Sequence, residues 1–281
     1  MGAVDYGAIM KSEIRELIAD FKAAVRIGHP ESLQVAIDGY RVLPEVAGNG
    51  MINLAFIRQA VLPLGEVLAY PRLDLKHIGT LLDDPLTGVR ALGAVASGVR
   101  FLALQGVQAD ALRRPGGDQR AEVRVALGEA LAKHAQENPQ HLLALVGDWL
   151  EPGVSAAPSV RMRLSALIAL RGVISDYGND VIPLLATYPT ESDRETRAAH
   201  IETLVFAAES GRETAVYELL ATWGAEQEPD AWMIAKTLTS AWAARNPTET
   251  EAILHALEAR VGEDRAIERA KRVLARHGKS V

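Results

Sequence analysis

The feature that most limits what this chain can become is a segment that returns seven times: an apolar residue, a basic residue, then small and aliphatic residues at helical spacing. It stands as FIRQAVLPLGEVLA around Arg58, GVRALGAVASGVRFL around Arg90, EVRVALGEALAKHA around Arg124, SVRMRLSALIALRG around Arg161 and ETRAAHIETLVFAA around Arg197. Two degenerate copies follow, WMIAKTLTSAWAA with Trp232 at the basic position and RAIERAKRVLARHG from Arg265. The anchors are separated by 32, 34, 37, 36, 35 and 33 residues. Such regularity predicts an array of like units.

Each anchored helix is preceded by a shorter amphipathic stretch, as at residues 74–82, 139–150, 181–188 and 214–223. Turn residues mark the joints: Asp84 and Pro85, Gly116 to Asp118, Pro152 and Gly153, Pro189 and Thr190, Glu228 and Pro229. Proline there cannot continue the first helix and suits the start of the second. The expected unit is a helical hairpin. One hairpin cannot bury both of its apolar faces, so Val89, Val123 and Val160, with Leu127, Leu131, Leu164 and Leu167, are expected to pack on neighbouring hairpins. In residues 9–27, Glu13, Arg15, Glu16, Asp20 and Lys22 alternate with Ile14, Leu17, Ile18 and Phe21, a polar face suited to capping the end of such a stack.

The expected fold is therefore all-α, a right-handed α-solenoid of about seven hairpins in one continuous domain over residues 1–281, with residues 1–29 as N-terminal cap and 30–278 as repeats. Composition agrees: hydrophobic residues are 48%, charged residues 23% and aromatics 5%, with alanine and leucine dominant, as closely packed helices require. The absence of cysteine excludes disulfides, thiol nucleophiles and thiolate metal sites. Residues 1–11 lack the succession of a signal peptide, and no apolar run approaches the roughly 20 residues needed to cross a bilayer. The expectation is a soluble, cytoplasmic protein without membrane contact. A net charge of −6 disfavours a dedicated nucleic-acid binder. Charge is uneven, with ten acids against three bases in 191–230 and seven bases against three acids in 260–279, so a local basic surface remains compatible.

The anchors resemble the HEAT family, a branch of the armadillo/HEAT-type α-solenoids, whose hairpin carries an acid in the turn and an arginine six residues later. Asp84 precedes Arg90, Asp118 precedes Arg124 and Glu191 precedes Arg197 by that spacing; Glu226 precedes Trp232 likewise, whereas Ser155 before Arg161 and Ile52 before Arg58 depart from it. The resemblance, over residues 30–278, implies that Asp84, Arg90, Asp118, Arg124, Glu191 and Arg197 form a structural ladder between neighbouring repeats. A narrower similarity, to HEAT-like alkylpurine DNA glycosylases, is carried by EVRVALGEALAKHAQENPQHLLALVGDWL, where Asp148 beside Trp149 sets an acid next to an aromatic. It covers one generic repeat.

Stacked second helices line a concave surface, so side chains at equal offset from the anchors should form a row. Ten residues on, the row reads Leu68, Arg100, His134, Arg171, Ala207, Trp242 and Ala275. Arg100, His134 and Arg171 in register would bind a phosphate or a partner's carboxylate; alternatively their stems lie along the stack and their heads are solvated or paired. Trp232 and Trp242, ten apart on one expected helix, would stack on a base or grip a peptide, or fill the core. The seven histidines show no tight metal spacing, and no phosphate-binding loop or nucleophile elbow occurs. The reading is a non-enzymatic scaffold, with no cofactor, metal or catalytic residue, that binds a protein or peptide on its concave surface. The alternative is a DNA-binding or base-excision protein using Arg100, Arg124, His134, Arg171 and the tryptophans.

Overall fold

A computed structural model describes residues 6–48, 52–103, 107–151, 159–186 and 193–277. Every regular element among them is a helix, and none of the described helices is long and apolar enough to cross a membrane. The chain divides into two compact units, residues 1–149 with 154–172, and residues 150–153 with 173–281.

The first unit contains α1 (Tyr6–Ile27), α2 (Pro30–Arg41), α3 (Pro44–Ala47), α4 (Leu54–Phe56), α5 (Leu62–Leu68), α6 (Leu75–Leu82), α7 (Thr87–Ala103), α8 (Ala109–Gly116), α9 (Ala121–His134), α10 (Pro139–Leu150) and α11 (Ser159–Leu170). A π-helical turn, Ile57–Val61, joins α4 to α5 and carries Arg58. The arginine-anchored helices pack in series, α5 on α7, α7 on α9 and α9 on α11, while α6 and α8 lie against α7 and α9. In α1 the residues Ile14, Leu17, Phe21, Ala24 and Val25 are buried, and Glu13, Arg15, Glu16, Asp20 and Lys22 are exposed. Its apolar stripe is laid against α2 and α5.

Close approach explains the tightness of the series. A Cβ added to Gly65 on α5 would sit 2.5 Å from Val95 Cβ on α7, and one added to Gly128 on α9 would sit 2.8 Å from Ile168 Cβ on α11. Only hydrogen fits there. Between these contacts α7 is enclosed: from Thr87 to Leu102 every residue but Arg90 is buried.

The second unit contains α12 (Ile174–Ala186), α13 (Arg194–Ala207), α14 (Glu213–Gly224), α15 (Ala231–Thr237), α16 (Ala241–Arg245), α17 (Pro247–Val261) and α18 (Arg265–His277). Here α13 packs on α15 and α15 on α18, with α14 against α17. The helix expected over 181–188 starts earlier, at Ile174, and residues 187–188 lie outside the described part.

One expectation fails outright. The segment WMIAKTLTSAWAA is two helices, α15 and α16, because Thr237, Thr239 and Ser240 turn their hydroxyls onto the carbonyls of Met233, Lys236 and Thr237, and Ser240 takes an extended backbone at φ −83°, ψ 164°. Short polar side chains that bind nearby carbonyls compete with helix propagation. Trp232 and Trp242 therefore do not share a helix face. Trp232 is 37% exposed, whereas Trp242 is fully buried and meets Tyr217 edge-on at 4.7 Å. Trp242 is a core residue.

Candidate functional site

The predicted row Arg100, His134 and Arg171 falls at the ends of α7, α9 and α11, but its members do different things. Arg100 is buried, and its guanidinium donates to the carbonyls of Ala69 (3.1 Å), Tyr70 and Leu73. It pins the turn between α5 and α6. Burial pulls its pKa below the usual arginine value, with Asp74 opposing. An arginine spent on three main-chain carbonyls has little left for a ligand, so its reading as a ligand contact is corrected to that of an internal brace. Arg171 is half-buried in the turn after α11, its backbone N–H donating to the Ile168 carbonyl at 3.2 Å.

His134 is the member that faces other charges. Its Nδ1 lies 2.6 Å from Glu137 Oε1 and its Nε2 lies 3.1 Å from Glu66 Oε1, while Lys133 Nζ pairs with the same Glu66 oxygen. Carboxylates at both ring nitrogens favour the doubly protonated ring. The hydrogen bond to Glu66 leads in raising the His134 pKa, against burial, with Glu137 adding to it. For Glu66, burial works upward, yet the hydrogen bonds from His134 and Lys133 prevail and hold its carboxyl below the ordinary range. A second bridge runs alongside, Arg58 to Glu129, with both hydrogen bonds at 2.8 Å.

These two bridges tie the helix carrying Arg58 and Glu66 directly to α9, although both already pack on α7. That closure is distinct from the cover over Arg100, which is the turn between α5 and α6. A count of offsets along the sequence cannot show the closure, since it depends on helices two places apart in the series meeting each other.

Next to Glu66 opens a cleft of about 350 Å³ between α1 and α5, lined by Lys22, Val25 and Arg26 from one side and Glu66, Val67 and Tyr70 from the other. Tyr70 is 46% exposed. The floor is apolar and the rim carries charges of both signs. None of its residues except Lys22 was singled out by the sequence reading, and Lys22 only as part of a capping face.

The acid–arginine ladder has a different register from the one expected. Asp84 accepts from Arg41 and Asp118 accepts from Arg90 (Nε, 2.9 Å), so each acid is held by an arginine of the preceding segment rather than by the one six residues ahead. The other oxygen of each caps its own turn, taking Leu86 N–H at 2.9 Å and Arg120 N–H at 2.8 Å. In the second unit the same job falls to Asp230, which takes Arg197 Nη1 at 2.9 Å and Met233 N–H at 2.9 Å. Glu191 lies outside the described residues; Asp193 caps α13 through Thr196 N–H at 2.8 Å. Arg124 is buried, with Nη1 3.4 Å from the Arg161 carbonyl. Arg41, Asp193 and Asp230 were missed, although aspartate just ahead of an apolar periodic run is a readable helix-start signal.

Arg197 also lies over the Trp232 ring at 4.8 Å, so Trp232 has an intramolecular cation as its neighbour. Asp148 is exposed while Trp149 is buried against Gly116: adjacent residues on a helix diverge, and the two do not form one site. No group of three or more metal-ligating side chains gathers among the described residues. No family model, curated protein or solved structure matches this chain.

Proposed function

We propose that the chain is an interaction scaffold of the HEAT-like α-solenoid kind, and that it takes a peptide segment of a partner protein in the cleft between α1 and α5. The observation that carries this reading is the lining of the cleft. Val25, Val67 and the half-exposed ring of Tyr70 offer apolar contact for one side chain, and Lys22 and Arg26 stand beside them to meet a carboxylate. An aromatic with apolar body and polar tip, bordered by cations, is a common anchor for a peptide side chain. The clamp of Glu66 by His134 and Lys133 fixes one wall, and the Arg100 brace fixes the turn from which Tyr70 projects. Walls held in place before binding lower its entropic cost.

The fitting partner is a segment with an acidic residue next to an apolar one. A photoreactive phenylalanine analogue placed at position 70 should cross-link such a partner in the native host, and Lys22→Glu with Arg26→Glu should remove the cross-link while leaving thermal unfolding unchanged. An equal yield from a probe at Val261, or a yield indifferent to the charge reversal, would defeat the proposal.

A further inference from the structure

The turn between α8 and α9 gathers four guanidinium groups, those of Arg90, Arg114, Arg120 and Arg161, around an open cleft of about 350 Å³. Among the described residues two carboxylates pair with members of this group, Asp118 with Arg90 and Asp83 with Arg114. Arg120 gives one hydrogen bond, from Nη2 to the Pro85 carbonyl at 2.7 Å, while its Nη1 is shielded from solvent with no hydrogen-bond partner. Arg161 reaches only the Gly117 carbonyl, at 3.5 Å, which is the outer limit of a hydrogen bond. Among the described residues neither Arg120 nor Arg161 meets a carboxylate. The cleft thus holds two guanidinium groups without a carboxylate partner among the described residues, and guanidinium N–H donors match the oxygens of a phosphate.

We infer that this cleft binds a phosphate-ester dianion, with Arg120 and Arg161 as the two charge-matching forks. A dianion answers both arginines at once, where a single carboxylate leaves one unmatched. The positive end of α9, 14 residues long and beginning at Ala121, adds to the attraction. The volume suits a small phosphorylated molecule or one headgroup rather than a length of duplex. The site is separate from the α1–α5 cleft: it lies at the opposite end of α9 from His134, roughly 20 Å away at 1.5 Å per residue.

The test is calorimetric titration of the full chain with inorganic pyrophosphate and with glycerol 3-phosphate, beside co-sedimentation with phosphatidylcholine vesicles that contain or lack a phosphorylated inositol lipid. Saturable binding with a dissociation constant below about 1 mM is expected. Arg161→Gln and Arg120→Gln should each weaken it at least about tenfold, while Arg245→Gln leaves it unchanged. Binding of free glycerol 3-phosphate or pyrophosphate marks a soluble ligand; binding only of the inositol-lipid vesicles, lost in the same variants, marks a headgroup. Arg161→Gln removes only a marginal contact and keeps the test open should Arg120→Gln fail to fold. No binding in any arm, or binding indifferent to Arg161→Gln, overturns the site; tighter binding of duplex DNA through the same arginines overturns the ligand class.

Discussion

Gly65 offers the sharpest test of how the first unit is packed. Replacing it with alanine puts a methyl 2.5 Å from both Cβ and Cγ1 of Val95 and 3.2 Å from the Leu92 carbonyl. Val95 is fully buried, and its Cβ is fixed to the backbone, so it cannot swing aside. Restoring ordinary contact of about 3.5 Å means parting α5 and α7 by on the order of 1 Å. Such overpacking costs about 1–3 kcal/mol, against a gain of roughly 0.5–1 kcal/mol from replacing a helix-interior glycine. The net loss should be roughly 0.5–2 kcal/mol, or about 1–8 °C in Tm at the size of this unit. Gly79, in α6, is the control: nothing lies within 4 Å of its added Cβ, so Gly79→Ala should raise Tm by about 1–4 °C. Thermal unfolding followed by circular dichroism, repeated in urea, reads both. If the two variants are stabilised alike, α5 and α7 do not approach as closely as described.

Three further outcomes follow from charge placement. Asp118→Ala should cost about 2–4 kcal/mol, since it removes the acceptor of the Arg120 N–H in the turn and leaves the partly buried Arg90 without its acid, whereas Asp118→Asn keeps the turn oxygen and should lose about half as much in urea unfolding. For the His134 pair the sign depends on the state that is charged. A raised histidine pKa contributes stability in full below the unfolded value of 6.5 and loses it as pH rises through the folded value, while the lowered Glu66 pKa contributes above 4.5 and fails in acid. The Tm gap between wild type and His134→Gln should accordingly be wider at pH 5.5 than at pH 9. His200 behaves oppositely: wholly buried beside Trp223, its pKa is pushed down to about 3 by desolvation. It holds no proton when folded but takes one on unfolding below pH 6.5, so stability should fall with acid by at most about 1.4 kcal/mol per pH unit. His200→Leu should flatten that slope; an unchanged slope in urea titrations between pH 6.5 and 4 would contradict it.

The helices were legible because an apolar periodicity of 3.6 and a recurring arginine leave little choice of element. The anchors at Arg90, Arg124, Arg161, Arg197 and Arg265 each fall within the first turns of a helix. What the pattern could not carry was partnership. The spacing of six between Asp118 and Arg124 is real, but Asp118 answers Arg90, because the turn ahead of α9 lies against α7. The break after Thr237 was hidden by apolar neighbours that fit either one helix or two. The offset count assumed an open face at Arg100, and the turn between α5 and α6 closes it. Arg161 stands out in the sequence only as a repeat anchor, and its place beside Arg120 in one cleft depends on which helices touch.

The double use of the turn aspartates gives the first unit a direction. Each such acid belongs to the later segment and neutralises a cation on the earlier one, so removing chain from the carboxyl side of Asp118 inward strips Arg90 of its counter-ion in a half-enclosed setting. Removing chain from the amino side as far as Arg41 instead leaves Asp84 still occupied by the Leu86 amide. Loss from the back therefore strands a cation, whereas loss from the front strands a buried acid, so the two ends fail with charges of opposite sign.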